Sequence, residues 1–189
     1  MPLTVGVLKE TLKGETRVAL TPEITAKLIK LGVSVVMERG AGDGAQIPDA
    51  DYQGVEMTDA KGVLAKAGLL LTVQPANADA VSKLNNGAVV AGFMYGHINK
   101  ELVGALKKNR LTGFAMELIP RISRAQSMDV LSSQAAAAGY QAALMDAVAG
   151  SGEVLWAGHG SLPGREGWIS LFLAEDAEPE KFVVTVPIA

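Results

Sequence analysis

The stretch Thr21-Pro-Glu-Ile-Thr-Ala-Lys-Leu-Ile-Lys-Leu-Gly-Val-Ser-Val-Val-Met-Glu38 reads as a helix that stops at a glycine and turns directly into a strand. Thr21 supplies an N-cap oxygen, and Pro22 takes the first helical position, where its missing N–H leaves no bond unmade. Ile24, Leu28 and Leu31 recur at helical spacing, and Gly32 provides the stop. Val33–Glu38 follows as a strand. Leu3–Leu8 lies ahead of the helix as an earlier strand, so the chain opens with a β-α-β unit.

The alternation continues outward from this unit. Asp59–Ala67 reads as a helix, Leu69–Val73 as a buried strand, Asp79–Leu84 as a helix and Ala88–Met94 as a strand. Lys100–Lys108 and Thr112–Leu118 repeat the pair. Ser127 or Asp129 then opens a long helix running towards Ala149. Five or six strands in this order predict an α/β fold: a doubly wound, mostly parallel sheet of the flavodoxin-like kind, with helices on both faces. Ligand sites in such sheets lie in the loops at the carboxyl ends of the strands.

The pattern places one domain over residues 1–150 and an atypical tail over 151–189. With 189 residues in all, the tail is too short for a second full domain. It has room for one helix and two strands, around the apolar Gly167–Ala174, the charged Glu175–Lys181 and the β-branched Phe182–Pro187. Hydrophobic residues make up 49% and charged residues 20%, a globular composition. A net charge of −3 gives no electrostatic case for nucleic acid or an anionic membrane. No cysteine is present, which excludes disulfides and thiolate catalysis. No apolar run approaches the roughly 20 residues that span a bilayer, and no basic-apolar leader precedes the first strand. The expectation is a soluble, cytoplasmic chain. With only His97 and His159, a multi-histidine metal site is not expected.

The densest polar chemistry lies in Arg121-Ile-Ser-Arg-Ala-Gln-Ser-Met-Asp129, a loop that follows a strand and opens a helix. Arg121, Gln126 and Asp129 combine a fixed cation, an amide that both donates and accepts, and a carboxylate. A nicotinamide carboxamide needs a donor and an acceptor, and ribose hydroxyls suit an aspartate. The alternative is structural: Asp129 and Ser127 cap the helix, and Arg121 pairs with a neighbouring acid. Arg17, in Glu15-Thr-Arg17-Val-Ala-Leu-Thr-Pro22, is a candidate for bidentate binding of a carboxylate or phosphate. Its structural alternative is an ion pair with Glu15 or Glu10. Gly40-Ala-Gly-Asp-Gly44 is read as a turn, because Ala-Gln-Ile-Pro48 delays the helix that a phosphate loop requires. Gly158-His-Gly-Ser-Leu-Pro-Gly164 has the wrong spacing for a dinucleotide fingerprint. His97, at a strand end, reads as a surface residue before it reads as an acid or base.

Four blocks carry a family resemblance: Val7-Leu-Lys-Glu10, Glu15-Thr-Arg-Val-Ala-Leu-Thr-Pro22, Glu38-Arg-Gly-Ala-Gly42, and Glu117-Leu-Ile-Pro-Arg-Ile-Ser-Arg-Ala-Gln-Ser-Met-Asp-Val-Leu-Ser-Ser-Gln134 with Ala138-Gly-Tyr140. From Val5 to about Met145 the chain resembles the N-terminal half of the alanine dehydrogenase and proton-translocating NAD(P) transhydrogenase alpha-subunit family. The last block looks like transhydrogenase rather than alanine dehydrogenase. Alanine dehydrogenases carry a substrate-binding lysine at the strand end occupied here by Thr72-Val-Gln-Pro75, and Gln74 argues against amino-acid oxidation.

The resemblance implies part of the NAD(H)-binding component, with hydride passing from NADH to NADP held on a separate component. Arg121, Gln126 and Asp129, with Ser132 a further candidate, would approach the nicotinamide. Arg17 is a weaker candidate for substrate binding. The implied cofactor is NAD, bound weakly or not at all by this chain alone. The implied partners are the NADP-binding and membrane subunits, a homodimer is expected, and the chain would be cytoplasmic and peripheral to the inner membrane through those subunits. The family continues into a Rossmann domain with its glycine fingerprint; the resemblance stops before it, so a truncated, frame-shifted or engineered chain, inactive alone, is expected. Two other readings stand beside this one: a non-enzymatic dimerisation or partner-binding domain, and an alanine dehydrogenase-like fragment that binds pyruvate or alanine at Arg17.

Overall fold

The computed structural model describes residues 3–120, 122–135, 138–139, 153–160, 167–175, 178–180 and 187–188. It forms two compact units, Met1–Leu118 and Ile119–Ala189.

In the first unit the elements run β1 (Thr4–Val7), α1 (Pro22–Lys30), β2 (Ser34–Glu38), β3 (Glu56–Thr58), α2 (Ala60–Lys66), β4 (Leu69–Leu71), α3 (Ala78–Val81), β5 (Val89–Gly92), α4 (Lys100–Lys108) and β6 (Thr112–Ala115). The six strands form one parallel sheet in the order β3-β2-β1-β4-β5-β6. Without β3 this is the flavodoxin-like order expected from the sequence. The three-residue β3 adds an edge strand beside β2. Its residues, Glu56-Met-Thr58, are exposed or half-buried, so it carries none of the apolar signal of a buried strand.

Each helix starts where a side chain satisfies an otherwise unpaired N–H. Thr21 accepts from Ile24, Asp59 from Gly62, Asn77 from Asp79 and Asn99 from Leu102. Gly32, at φ 82°, takes the left-handed conformation that ends α1.

Alternation along the strands sorts their side chains into two cores. Val5, Val7, Val35 and Met37 face one side, where Leu28 and Ile29 of α1 and the buried Tyr52 cover them. Val36, Leu70 and Val90 face the other, beneath Val63 and Leu64 of α2, Val81 of α3, and Leu102 and Leu106 of α4. Helices therefore cover both faces of the sheet, as a buried parallel sheet requires. Gly6 permits the closest of these approaches: a Cβ there would lie 2.7 Å from Ala67 Cβ and 2.9 Å from Val63 Cγ1.

The second unit begins with a loop containing a 3-10 turn at Gln126–Met128 and continues as helix over 130–135. The rest of the expected long helix lies mostly outside the described residues. In the tail, β7 (Glu153–Gly160), β8 (Gly167–Glu175), β9 (Glu178–Glu180) and β10 (Pro187–Ile188) form an antiparallel sheet. The expectation of one helix and two strands gives way here to four strands, and the described residues of 151–189 include no helix. Two apolar runs on either side of a turn-rich segment pair antiparallel more readily than either forms a helix.

Gly6→Ala is expected to destabilise the first unit by about 1–3 kcal/mol through overpacking against α2. Urea unfolding of the variant measures this; an unchanged midpoint would show that α2 can move away at no cost.

Candidate functional site

The carboxyl ends of β1, β4, β5 and β6 share one edge of the first unit, and the loops leaving them carry its polar chemistry. The loop after β1 delivers Glu10, Glu15 and Arg17. Glu10 reaches the loop after β4, where its carboxylate accepts from Val73 N at 2.6 Å and from Gln74 N at 3.2 Å. Glu15 accepts from the Arg17 backbone at 2.9 Å, from Arg17 Nε at 2.8 Å and from an Arg17 terminal nitrogen at 2.5 Å. Its second oxygen also accepts from Gln74 Nε2 at 2.7 Å. The Glu15 side chain is 5% exposed and that of Arg17 is 40% exposed. A carboxylate so enclosed is tolerable because a guanidinium fork and an amide saturate it.

A further acid does similar work along the same edge. Glu117, just after β6, accepts from Met94 N and Tyr95 N, the latter at 2.7 Å. Tyr95 stands at φ 46°, a conformation few non-glycine residues adopt, and its ring stacks on Phe93 with centroids 5.7 Å apart.

A cleft of about 720 Å³ opens at this edge, between the loops after β1, β4 and β5 and the N-terminal ends of α3 and α4. Glu10, Leu12, Gln74, Asn77, Tyr95 and Glu101 are among the residues that line it. None of the described lining residues is a lysine or arginine.

Glu15 and Glu10 titrate in opposite directions. The Arg17 guanidinium holds the Glu15 carboxyl down to about 2, against an ordinary 4.5. Burial pushes the Glu10 carboxyl up, and the two backbone N–H donors oppose that rise.

The second unit holds the other candidates. Arg121 lies outside the described residues. Gln126 is exposed on the 3-10 turn. Asp129 is the N-cap of the helix over 130–135: one oxygen accepts from Leu131 N at 3.0 Å and Ser132 N at 3.2 Å, the other from Ser132 Oγ at 2.7 Å. Asp129 and Ser132 are thus brought together, with Gln126 three residues upstream.

Other sequence motifs sit elsewhere. The glycine-rich segment at 40–44 is a turn, with Gly40 at φ 71° and its N–H donated to Asp49 at 2.9 Å. His97 is exposed in the turn after β5 and does not line the cleft. Sequence reading did not find Tyr95, Glu117 or the hydrogen bond from Gln74 to Glu15. A glutamate directly after an apolar strand is a weak signal for Glu117, and nothing local marks the others.

The model of the alanine dehydrogenase/PNT N-terminal domain matches residues 6–138, more than half of the chain. The chain belongs to this family. It is 42% identical over 150 residues to the NAD(P) transhydrogenase subunit alpha (first part) of Rhodospirillum rubrum, covering 75% of the chain and 39% of that protein. Alanine dehydrogenase of Mycobacterium tuberculosis is 33% identical over 120 residues, covering 62% of the chain and 32% of that protein. Among solved structures, the transhydrogenase from Sinorhizobium meliloti matches with a TM-score of 0.74 at 42% identity, over 84% of this chain and 48% of that one. An L-alanine dehydrogenase matches with a TM-score of 0.69 at 25% identity, over 86% of this chain and 45% of that one. The chain therefore spans well under half the length of the curated relatives it matches.

Two outcomes test the geometry. Because Glu15 is held ionised by the fold, its stabilisation is complete above pH 4.5 and is lost as pH falls towards about 2. Glu15→Gln should lower stability at neutral pH and flatten the loss of melting temperature across that window; a slope equal to the parent's would contradict the pairing. Asp129→Ala should cost the second unit about 1 kcal/mol by uncapping its helix, measured as reduced hydrogen-exchange protection at Ser132 and Ser133.

Proposed function

We propose that this chain is part of the NAD(H)-binding component of a proton-translocating transhydrogenase and supplies the nicotinamide side of its site. What supports this most is the 42% identity to the R. rubrum transhydrogenase alpha subunit, higher than the 33% identity to alanine dehydrogenase. Among the described residues, no helix is long and apolar enough to cross a membrane.

The residues suit the cofactor. Gln126 presents an exposed amide, whose oxygen and NH₂ complement a carboxamide. The Asp129 carboxylate is fixed in orientation by the helix it caps, and a carboxylate is the kind of acceptor that suits a ribose hydroxyl. Ser132 holds that carboxylate, and Arg121 supplies the cation of the set. When bound, the nicotinamide provides the hydride. The protein groups hold and orient it, which is the larger part of what direct hydride transfer needs. NADP would sit on a separate component, and membrane subunits would couple transfer to proton movement. Within this scheme residues 1–150 are the transhydrogenase-like domain and 151–189 an appendage to it. The chain works as a homodimer at the cytoplasmic side of the inner membrane, held there by its partner subunits, and is not catalytic alone.

Titration of the purified chain with NADH, read by nicotinamide fluorescence with NADPH as control, tests this reading. It predicts weak binding that prefers NADH and weakens further in Gln126→Ala at unchanged melting temperature. It also predicts no hydride transfer from NADH to an NADP analogue by the chain alone. Equal binding of NADPH, or transfer by the isolated chain, would overturn it.

A further inference from the structure

We propose that Asn86 and Gly87, in the turn between α3 and β5, form a self-modification site, where the asparagine cyclises, loses its amide and becomes aspartate or isoaspartate. The chain has five asparagines, all of them among the described residues. Four commit their side chains to the backbone. Asn77 Oδ1 accepts from Asp79 N at 2.8 Å and Asn99 Oδ1 from Leu102 N at 3.3 Å, each at the start of a helix. Asn85 Nδ2 donates to Ala65 O at 2.9 Å, and Asn109 Nδ2 donates to Ala105 O at 2.9 Å. A side chain held in such a bond is not free to fold back on the next peptide nitrogen. Asn86 is exposed, and among the described residues its side-chain amide has no hydrogen-bond partner. It is also the asparagine that a glycine follows.

The turn leaves the attacking nitrogen open. Ala88 N donates to Asn85 O at 3.1 Å, with Asn86 and Gly87 at the centre of the turn. Gly87 stands at φ 81° and Asn86 at negative φ, which makes the turn type II. Gly87 has no Cβ to shield its nitrogen, and no other heavy atom lies within 4 Å of where one would be. Ring closure twists the Asn86 main chain, so the turn opens first; a surface turn closed by a neutral hydrogen bond does so at little cost. Gly87 N then attacks Asn86 Cγ, the Cγ–Nδ2 bond breaks and ammonia leaves. Water opens the resulting succinimide. Addition at Cγ gives aspartate; addition at the main-chain carbonyl carbon gives isoaspartate, with the chain now running through the side-chain carbonyl. Nothing is oxidised or reduced. Aspartate adds a negative charge to an exposed turn. Isoaspartate lengthens the main chain by a methylene between Asn85, tied to Ala65, and Ala88, buried just before β5.

The site is independent of the nicotinamide reading and of the cleft. The experiment ages the full chain at neutral pH and physiological temperature and follows each asparagine by peptide mapping, with electron-transfer fragmentation to separate isoaspartate from aspartate. Asn86 should convert about tenfold or more faster than each of the other four, and within about tenfold of its rate in a synthetic peptide of residues 84–90, the scale of one neutral hydrogen bond. Isoaspartate should be the larger product. Asn86→Gln should abolish the conversion and melt with the fresh parent. Chain carrying isoaspartate at position 86 should melt below the fresh parent, whereas Asn86→Asp, which has the charge and the ordinary main chain, should melt with it. Faster conversion at another asparagine, or a rate at Asn86 further below that of the peptide, would overturn the proposal. Aspartate as the sole product would do the same, since direct hydrolysis of the amide would then account for it.

Discussion

Glu10 and Glu15 hold the carboxyl edge of the sheet together by accepting hydrogen bonds from residues far along the chain. Val73 and Gln74 lie 63 and 64 residues from Glu10, and the Gln74 side chain lies 59 residues from Glu15. The loop after β1 has no regular secondary structure to fix it. These bonds tie it to the end of β4, and β4 is hydrogen-bonded to β1 in the sheet. The two strands are parallel and in register, and α2 packs tightly on β1 at Gly6.

The same bonds fix the electrostatics. A carboxylate in a mostly enclosed position costs several kcal/mol unless it is paired. Glu15 meets that cost with the Arg17 guanidinium and the Gln74 amide. Burial pushes the Glu10 carboxyl above its ordinary value, and its backbone donors offset that rise only in part. Two acids on one loop are thus driven apart, Glu15 downward by its guanidinium partner and Glu10 upward by burial.

Much of the fold was legible because it is written in local patterns. Thr21-Pro22 and Gly32 bound α1 by capping chemistry, and the short apolar runs at β1, β2, β4 and β5 are too buried to be loops. β3 was not legible: a three-residue edge strand with a half-exposed sequence has neither length nor alternation to mark it. The third helix is shorter than its sequence pattern, since only Ala78–Val81 is helical where Asp79–Leu84 was expected, and Asn77 provides its cap. At the site, the pairing of Arg17 with Glu15 could be anticipated from their spacing of two. The bonds of Gln74 and Glu117 could not, because each depends on which strands become neighbours. The local helix-start signal at Asp129 was visible in the sequence, and the cap is present.

The most direct measurement of the account is the titration of the glutamate carboxyls by carbon-detected NMR in the intact chain. The arrangement predicts one glutamate, Glu15, with a midpoint near 2, and a second, Glu10, above the ordinary 4.5. Assignment by Glu15→Gln and Glu10→Gln should remove one outlying resonance each. Midpoints for both residues at the ordinary value would mean that the loop after β1 is not held by these bonds, and the crevice would lose its fixed geometry.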